Sequence, residues 1–401
     1  MITKLPIFVV NKLQALGYNI NQEVNIVDFG ARIKLARKKA NMSMKELAQL
    51  VGVSTTSISK MEHNMINPRQ STLLKLAKAL SVNIEYFFRE IKVDTLSPTY
   101  RKHSKLGQKE QGAIEAVITE YVERYLATLQ LFENDLPLAL KLPSYQISAI
   151  EEAEQAANQL RQRWKLGLDS IEDLTGRLEN NNIIVINIDG PSGFDGFSCW
   201  ANGNVPVIAF NNNVPGDRQR FNISHELGHL VLDVIDYTKK ENAAHRFAAA
   251  FLVPSEAAIS ELGPKRNNLS FKELSILKHK YGLSIQAWIK RAFDLGIIDK
   301  KTYTNLFRQL SERGWRAKEP GYVSNEEPLQ LQLLVNRAIA EDLITPSYAN
   351  TLMGEYAQRI DKVENNKLSV AADKLAFLYA KDSELRAFSD ADLGEYKDDN
   401  S

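Results

Sequence analysis

The chain has 401 residues, 44% of them hydrophobic and 25% charged, with a formal net charge of +1. That length allows two or three domains with cores of their own, and the composition is that of a soluble globular protein rather than a disordered or membrane-embedded one. The single cysteine, Cys199, excludes an intrachain disulfide and fits a reducing, cytoplasmic compartment. Residues 1–27 read as an extension without a functional signal. Their apolar run from Leu5 to Val10 lacks the charged leader and cleavage site of a signal peptide.

The small net charge conceals an asymmetry. Residues 30–80 hold ten Lys and Arg against two acids, which leaves the rest of the chain with seven more acids than bases. A basic module on an acidic body points to a polyanion as the partner of that segment alone. Patterning over residues 28–90 predicts five short helices. Phe29, Ile33 and Ala36 give the first an apolar face. Ser43 caps the second, and Glu46 completes a capping box. Gly52 permits a sharp turn, and Ser54 caps a third helix from Thr55 to Glu62. Leu73, Leu76, Ala77 and Leu80 mark the fourth; Ile84, Phe87 and Phe88 mark the fifth. Two helices joined by a glycine turn are a helix-turn-helix signature.

Residues 32–82, from RIKLARKKANMSMKELAQLVGVSTTSIS to LAKALSV, resemble the Cro/CI-type (XRE) helix-turn-helix domain along their whole length. The resemblance implies that the third helix enters the major groove of double-stranded DNA by its N-terminal residues. Thr55, Thr56, Ser57 and Lys60 then become candidates for base or nearby phosphate contacts, and Arg32 and Arg69 for phosphate contacts. One position departs from the pattern: Met44 stands where the family often has Gln. Such modules commonly read two half-sites, so a homodimer is expected.

Residues 91–149 read as a polar linker followed by a helix, from Glu110 to Phe132, suited to pair with a second copy. Residues 150–320 form the expected second domain. Helices are predicted from Ile150 to Leu166 and from Ile171 to Asn180, and a buried strand from Ile183 to Asp189. Two further strands, 197–202 and 205–211, flank the Asn202-Gly203 turn signal. Residues 321–401 read as helical pieces, among them 329–340 and 367–379.

The second domain holds Asn222-Ile223-Ser224-His225-Glu226-Leu227-Gly228-His229. Two histidines four apart on a helix share a face and can bind one cation. Leu227, Leu230, Val231 and Val234 form an apolar stripe nearly opposite them. Glu226 falls to the side, better placed to meet a water than the metal. A catalytic zinc takes three protein ligands and keeps one position open. Glu241, Asp233, Asp236 and His245 are candidates for the third ligand. Asp233, one turn beyond His229, is better suited to hold a histidine N–H than to converge on the ion. His245 could assist the site or hydrogen-bond a backbone.

RQRFNISHELGHLVL (218–232), followed by ENAAHRFAAAFLVP (241–254), resembles the ImmA/IrrE family of metallopeptidases. The resemblance implies an α+β, mostly helical chain. A five-helix DNA-binding domain is followed by a zincin-like domain with a small sheet and then a helical C-terminal region. It implies Glu241 as third ligand beside His225 and His229, on zinc or alternatively manganese. Glu226 becomes the general base that takes a proton from the attacking water and passes it to the leaving amine. His245 stands where the family often has Asn or Asp. Tyr237, Arg246 and His245 are candidates for stabilising the oxyanion. Family peptidases cleave transcriptional repressors, so a repressor or the chain itself is the expected substrate. The rival reading is a transcription factor whose metal domain senses a ligand or only folds around zinc.

Overall fold

The computed structural model describes residues 28–98, 106–132 and 142–354, without the Tyr237 side chain. The expected extension at 1–27 and the expected helix at 367–379 lie outside the described residues.

The basic module folds as α1 (Phe29–Lys39), α2 (Met44–Val51), α3 (Thr55–Glu62) and α4 (Gln70–Ala79). Asp28 accepts from the Ala31 N–H at 2.8 Å, and Ser43 and Glu46 close the expected capping box. Gly52 ends α2 with φ 76°, a left-handed cap that a side chain would strain. Ile33, Leu47, Val51, Ile58, Leu76 and Phe87 are buried together as its core. The expected fifth helix is instead a 3-10 turn, Ile84–Phe88. Its five residues close the core by side-chain packing, with the Phe88 ring edge-on to Phe29 at 4.8 Å between centroids.

Part of the expected linker and helix region is ordered against the rest of the chain. Leu96–Pro98 forms a strand, β1. The next helix, α5 (Gln108–Leu129), was expected to face a second copy, but its buried side is used within the chain, against α1 and the central sheet. Arg32 meets Glu123 at 2.6 Å and Lys39 meets Glu120 at 2.7 Å, while the Tyr86 hydroxyl donates to Glu120 at 2.6 Å. Both carboxylates are buried, and only such partners make that tolerable. Desolvation still pushes the Glu123 carboxyl up, against the pull of Arg32.

The second module runs β2 (Tyr145–Ile147), α6 (Glu152–Arg163), α7 (Leu174–Glu179), β3 (Ile184–Ile188), β4 (Gly196–Ala201), β5 (Val205–Asn211), α8 (Gly216–Val231), β6 (Leu232–Val234) and α9 (Lys240–Leu252). Four more helices follow: α10 (Ser255–Leu262), α11 (Phe271–Tyr281), α12 (Ile285–Asp294) and α13 (Lys300–Glu312). The main sheet has the order β1-β4-β5-β3; β3 is parallel to β5, and the other pairs are antiparallel. Asn202 and Gly203, with φ 50° and 75°, make the β4–β5 hairpin. A separate parallel pair joins β2 to β6. Helix α7 starts three residues later than expected, where the Asp173 side chain caps it through the Gly176 N–H. Helix α9 packs on both α6 and α8, with Leu160, Ile223, Leu227, Phe247 and Phe251 in one core.

A second compact unit begins at Leu331 and holds most of α14 (Gln330–Ala340) and all of α15 (Pro346–Met353). Thr345 caps α15, and Pro346 occupies its first position, where no N–H is needed. Among the described residues no helix is long and apolar enough to cross a membrane.

Glu179, at the end of α7, accepts from the N–H groups of Leu329 and Gln330 at 3.3 Å each. Burial outweighs these bonds and pushes its carboxyl from 4.5 up to about 8. Between these two values the folded chain keeps a proton that the unfolded chain has released. Its contribution to stability therefore falls as pH rises from 4.5 to about 8, then levels off. Thermal unfolding from about pH 5 to about pH 8.5 should show this decline, and Glu179→Gln should flatten it. Equal slopes in the two proteins would remove Glu179 as the cause.

Candidate functional site

Helix α8 places Phe221, His225 and His229 at four-residue steps along one face. Ile223, Leu227, Leu230 and Val231 are buried on the others. The expected apolar stripe is thus present, except that α8 stops at Val231 and Val234 lies in β6. The same change of direction corrects the expectation for Asp233. It is an exposed residue of β6, not a residue one helical turn beyond His229.

Helix α9 crosses α8 closely. A Cβ built on Gly228 would lie 3.3 Å from the Ala244 Cα and 3.1 Å from the Phe247 ring. The absent side chain of Gly228 and the small one of Ala244 let the two backbones approach. That crossing carries Glu241, in the first turn of α9, to the two histidines. Gly228→Val should separate the helices and weaken zinc binding at least tenfold, as read by competition with a chromogenic chelator. Unchanged affinity would detach the crossing from the site.

The two imidazole Nε2 atoms are 3.1 Å apart, and the Glu241 carboxylate oxygens lie 3.8 Å from His225 and 3.5 Å from His229. A tetrahedral ion with bonds of about 2.0–2.1 Å separates its ligands by about 3.3–3.4 Å. Two nitrogens and one oxygen with these spacings could hold a metal ion. The three side chains are 12%, 6% and 20% exposed, so the site is sheltered yet reachable. Among the described residues this is the one group of three such donors.

Glu226 stands outside that group, turned toward β4. The Ser198 hydroxyl donates to Glu226 Oε2 at 2.6 Å, and Gly196 lies against the Glu226 stem. Neither residue was singled out from the sequence. Their signal is two small residues at alternate positions, Gly196 and Ser198, on a strand that also carries Phe197 and Trp200. Arg218 pairs with Asp195 at 2.6 Å, and the Asn222 amide donates to the Asp195 carbonyl at 3.2 Å. These bonds tie the start of β4 to α8.

Of the three candidates for the oxyanion, the Tyr237 side chain lies outside the described residues. Arg246 pairs with Glu154 at 2.9 Å and Asp294 at 3.5 Å. The His245 ring is exposed and lies 4.4 Å from that of His225, stacked on Phe221 at 5.7 Å. Asp236 is tied to Thr238 and Lys239 and is not in the donor group. The Cys199 thiol is fully buried and pushed up to about 12 by desolvation, which makes it a packing residue rather than a ligand.

On the basic module, Thr55, Thr56 and Lys60 are exposed on α3, and Arg69 is exposed ahead of α4. Ser57 is half-buried; its N–H and hydroxyl are engaged with the Ser54 cap at 3.1 Å and 2.8 Å. Arg32 is a correction. It is 1% exposed and donates to Glu123 and to the carbonyls of Arg89 and Glu90, so it cannot face a phosphate. Exposed Met44 opens α2, and Lys109 of α5 reaches the neighbouring Glu46 at 3.0 Å.

Residues 33–87 match the helix-turn-helix family model, and residues 181–293 match that of the IrrE N-terminal-like domain, peptidase family M78. The chain is similar to the HTH-type transcriptional regulator ImmR of Bacillus subtilis, at 30% identity over 73 residues. That match covers 18% of this chain and 58% of the relative's length. The restriction-modification controller protein C.AhdI from Aeromonas hydrophila is 31% identical over 16% of this chain and 94% of its own, with a TM-score of 0.15. By these two family models, residues 33–87 are an XRE-type helix-turn-helix segment and residues 181–293 an IrrE/ImmA-like domain of peptidase family M78.

Proposed function

We propose that this chain is a cytoplasmic DNA-binding transcriptional regulator whose IrrE-like module is a zinc endopeptidase. Its substrate is a repressor protein or the chain itself, and cleavage changes which operators are occupied. The observation that carries the reading is the convergence of His225, His229 and Glu241, with a fourth residue, Glu226, held apart from them against a strand. A purely structural zinc site is closed by four protein ligands.

His225, His229 and Glu241 would hold zinc or manganese, which would supply a Lewis acid for a peptide carbonyl and a water molecule. Glu226 accepts the proton of the attacking water at a carboxylate oxygen and delivers it to the leaving amine. His245, exposed beside His225, supports the oxygen that gains charge.

The helix-turn-helix module brings double-stranded DNA. Thr55, Thr56 and Lys60 meet bases or neighbouring phosphates from α3, Ser57 orders the helix start, and Arg69 meets a phosphate. Two copies read two half-sites as a homodimer. Arg69→Ala should weaken binding uniformly across operator sequences and lower the slope of log affinity against log salt by about 1. An unchanged slope would take Arg69 off the DNA.

The test of the whole reading uses zinc-loaded full-length chain, alone and with repressors from its own host. Intact-mass spectrometry should show defined cleavage products that a chelator abolishes, and operator occupancy should change on the same time scale. No chelator-sensitive product with any repressor or with the chain itself would contradict the peptidase reading.

A further inference from the structure

Strand β4 turns alternate residues to the same side, so Gly196 and Ser198 face one way. Both meet Glu226. Ser198, 3% exposed, donates its hydroxyl to Oε2 at 2.6 Å. A Cβ on Gly196 would lie 2.9 Å from the Glu226 Cγ and 3.1 Å from Oε1. One residue therefore grips one carboxylate oxygen, and the other leaves the space that the stem and second oxygen fill.

We propose that Gly196 and Ser198 form a cradle on β4 that positions the Glu226 carboxylate as the base, with Ser198 as its positioning residue. The inference rests on the base role of Glu226 under the proposed function. A glutamate side chain has three rotatable bonds, and a base acts only when held within about 0.5 Å of its working place. An ion shared by His225 and His229 would hold those two; Glu226, outside that donor group, is held at Oε2 by Ser198. A hydrogen bond to a carboxylate is of the short, directional kind. The position of β4 is itself secured by its ladder to β5, by β1 at Cys199 to Ala201, and by the Asp195 bonds to α8.

The test uses binding of acetohydroxamate to the zinc-loaded full-length protein, measured by calorimetry, so no substrate is needed. A hydroxamate chelates zinc and shares its proton with a nearby carboxylate, so its affinity reports how that carboxylate is held. Zinc content and thermal midpoint are measured for every variant. Ser198→Ala should weaken the probe about 10-fold, the size of one lost charge-assisted hydrogen bond. Ser198→Thr, which keeps the hydroxyl, should restore affinity to within about threefold. Gly196→Ala should weaken it as well, because the added methyl displaces Glu226. In a Glu226→Gln background Ser198→Ala should have no further effect, since the two act as one unit. If Ser198→Ala does not fold, Ser198→Cys, a weaker donor, should give an intermediate loss. Wild-type affinity in Ser198→Ala, beside a clear loss in Glu226→Gln, would overturn the positioning role alone. So would a Ser198→Ala loss that persists in the Glu226→Gln background. Wild-type affinity in Glu226→Gln would instead contradict the base role itself, and the cradle with it.

Discussion

Glu226→Gln is expected to lower the rate of peptide-bond cleavage by about 10²–10⁴-fold, the contribution of a positioned general base. Gln keeps the shape and can still meet Ser198, but it cannot take a proton. The donors His225, His229 and Glu241 are untouched, so zinc content should match that of the unsubstituted chain. Single-turnover cleavage measured beside metal analysis separates the two. A rate within about threefold of the original, at equal zinc content, would leave Glu226 without the role assigned to it. A fall in zinc content would mean that Glu226 belongs to the ligand set, against its place by β4.

Arg32→Ala is expected to cost about 3–5 kcal/mol of stability, as removing one partner of a buried ion pair does. The loss strands the Glu123 carboxylate and the carbonyls of Arg89 and Glu90, all of which accept from this one guanidinium. It also removes a bond between α1 and α5, the helix that spans from the basic module to the central sheet. Urea unfolding of the full chain reads the effect. Arg69→Ala, at an exposed position, should stay within about 0.5 kcal/mol while reducing the salt dependence of DNA binding. If the two variants exchanged these behaviours, Arg32 would return to the DNA face.

Much of this architecture was visible in the residues before folding. The helices of the basic module announce themselves through apolar spacing and caps such as Ser43 with Glu46. The strands around Asn202-Gly203 show a turn that demands positive φ. His225 and His229 carry their own geometry in their spacing. Glu241 was one of several possible donors by position, and the family resemblance ranked it first. The features that escaped depend on partners far away in sequence. Arg32 looks like any surface cation until Glu123 is placed beside it, 91 positions later. Leu96–Pro98 and Tyr145–Ile147 are three-residue strands, too short to show a period, and exist because β4 and β6 offer them an edge. Asp233 was misplaced because the 3.6-residue period runs past Val231 while the chain turns into β6. Ser198 was overlooked because a lone serine in a strand carries no signal until Glu226 is seen above it.

The most direct measurement is zinc X-ray absorption on the full-length chain, combined with metal analysis. One zinc per chain is expected, bound by two imidazole nitrogens at about 2.0–2.1 Å and a carboxylate oxygen, with no sulfur. Glu241→Ala should remove the carboxylate and His229→Ala one imidazole. Less than stoichiometric zinc under saturating conditions, or the same ligand set after either substitution, would contradict a metal centre built from His225, His229 and Glu241.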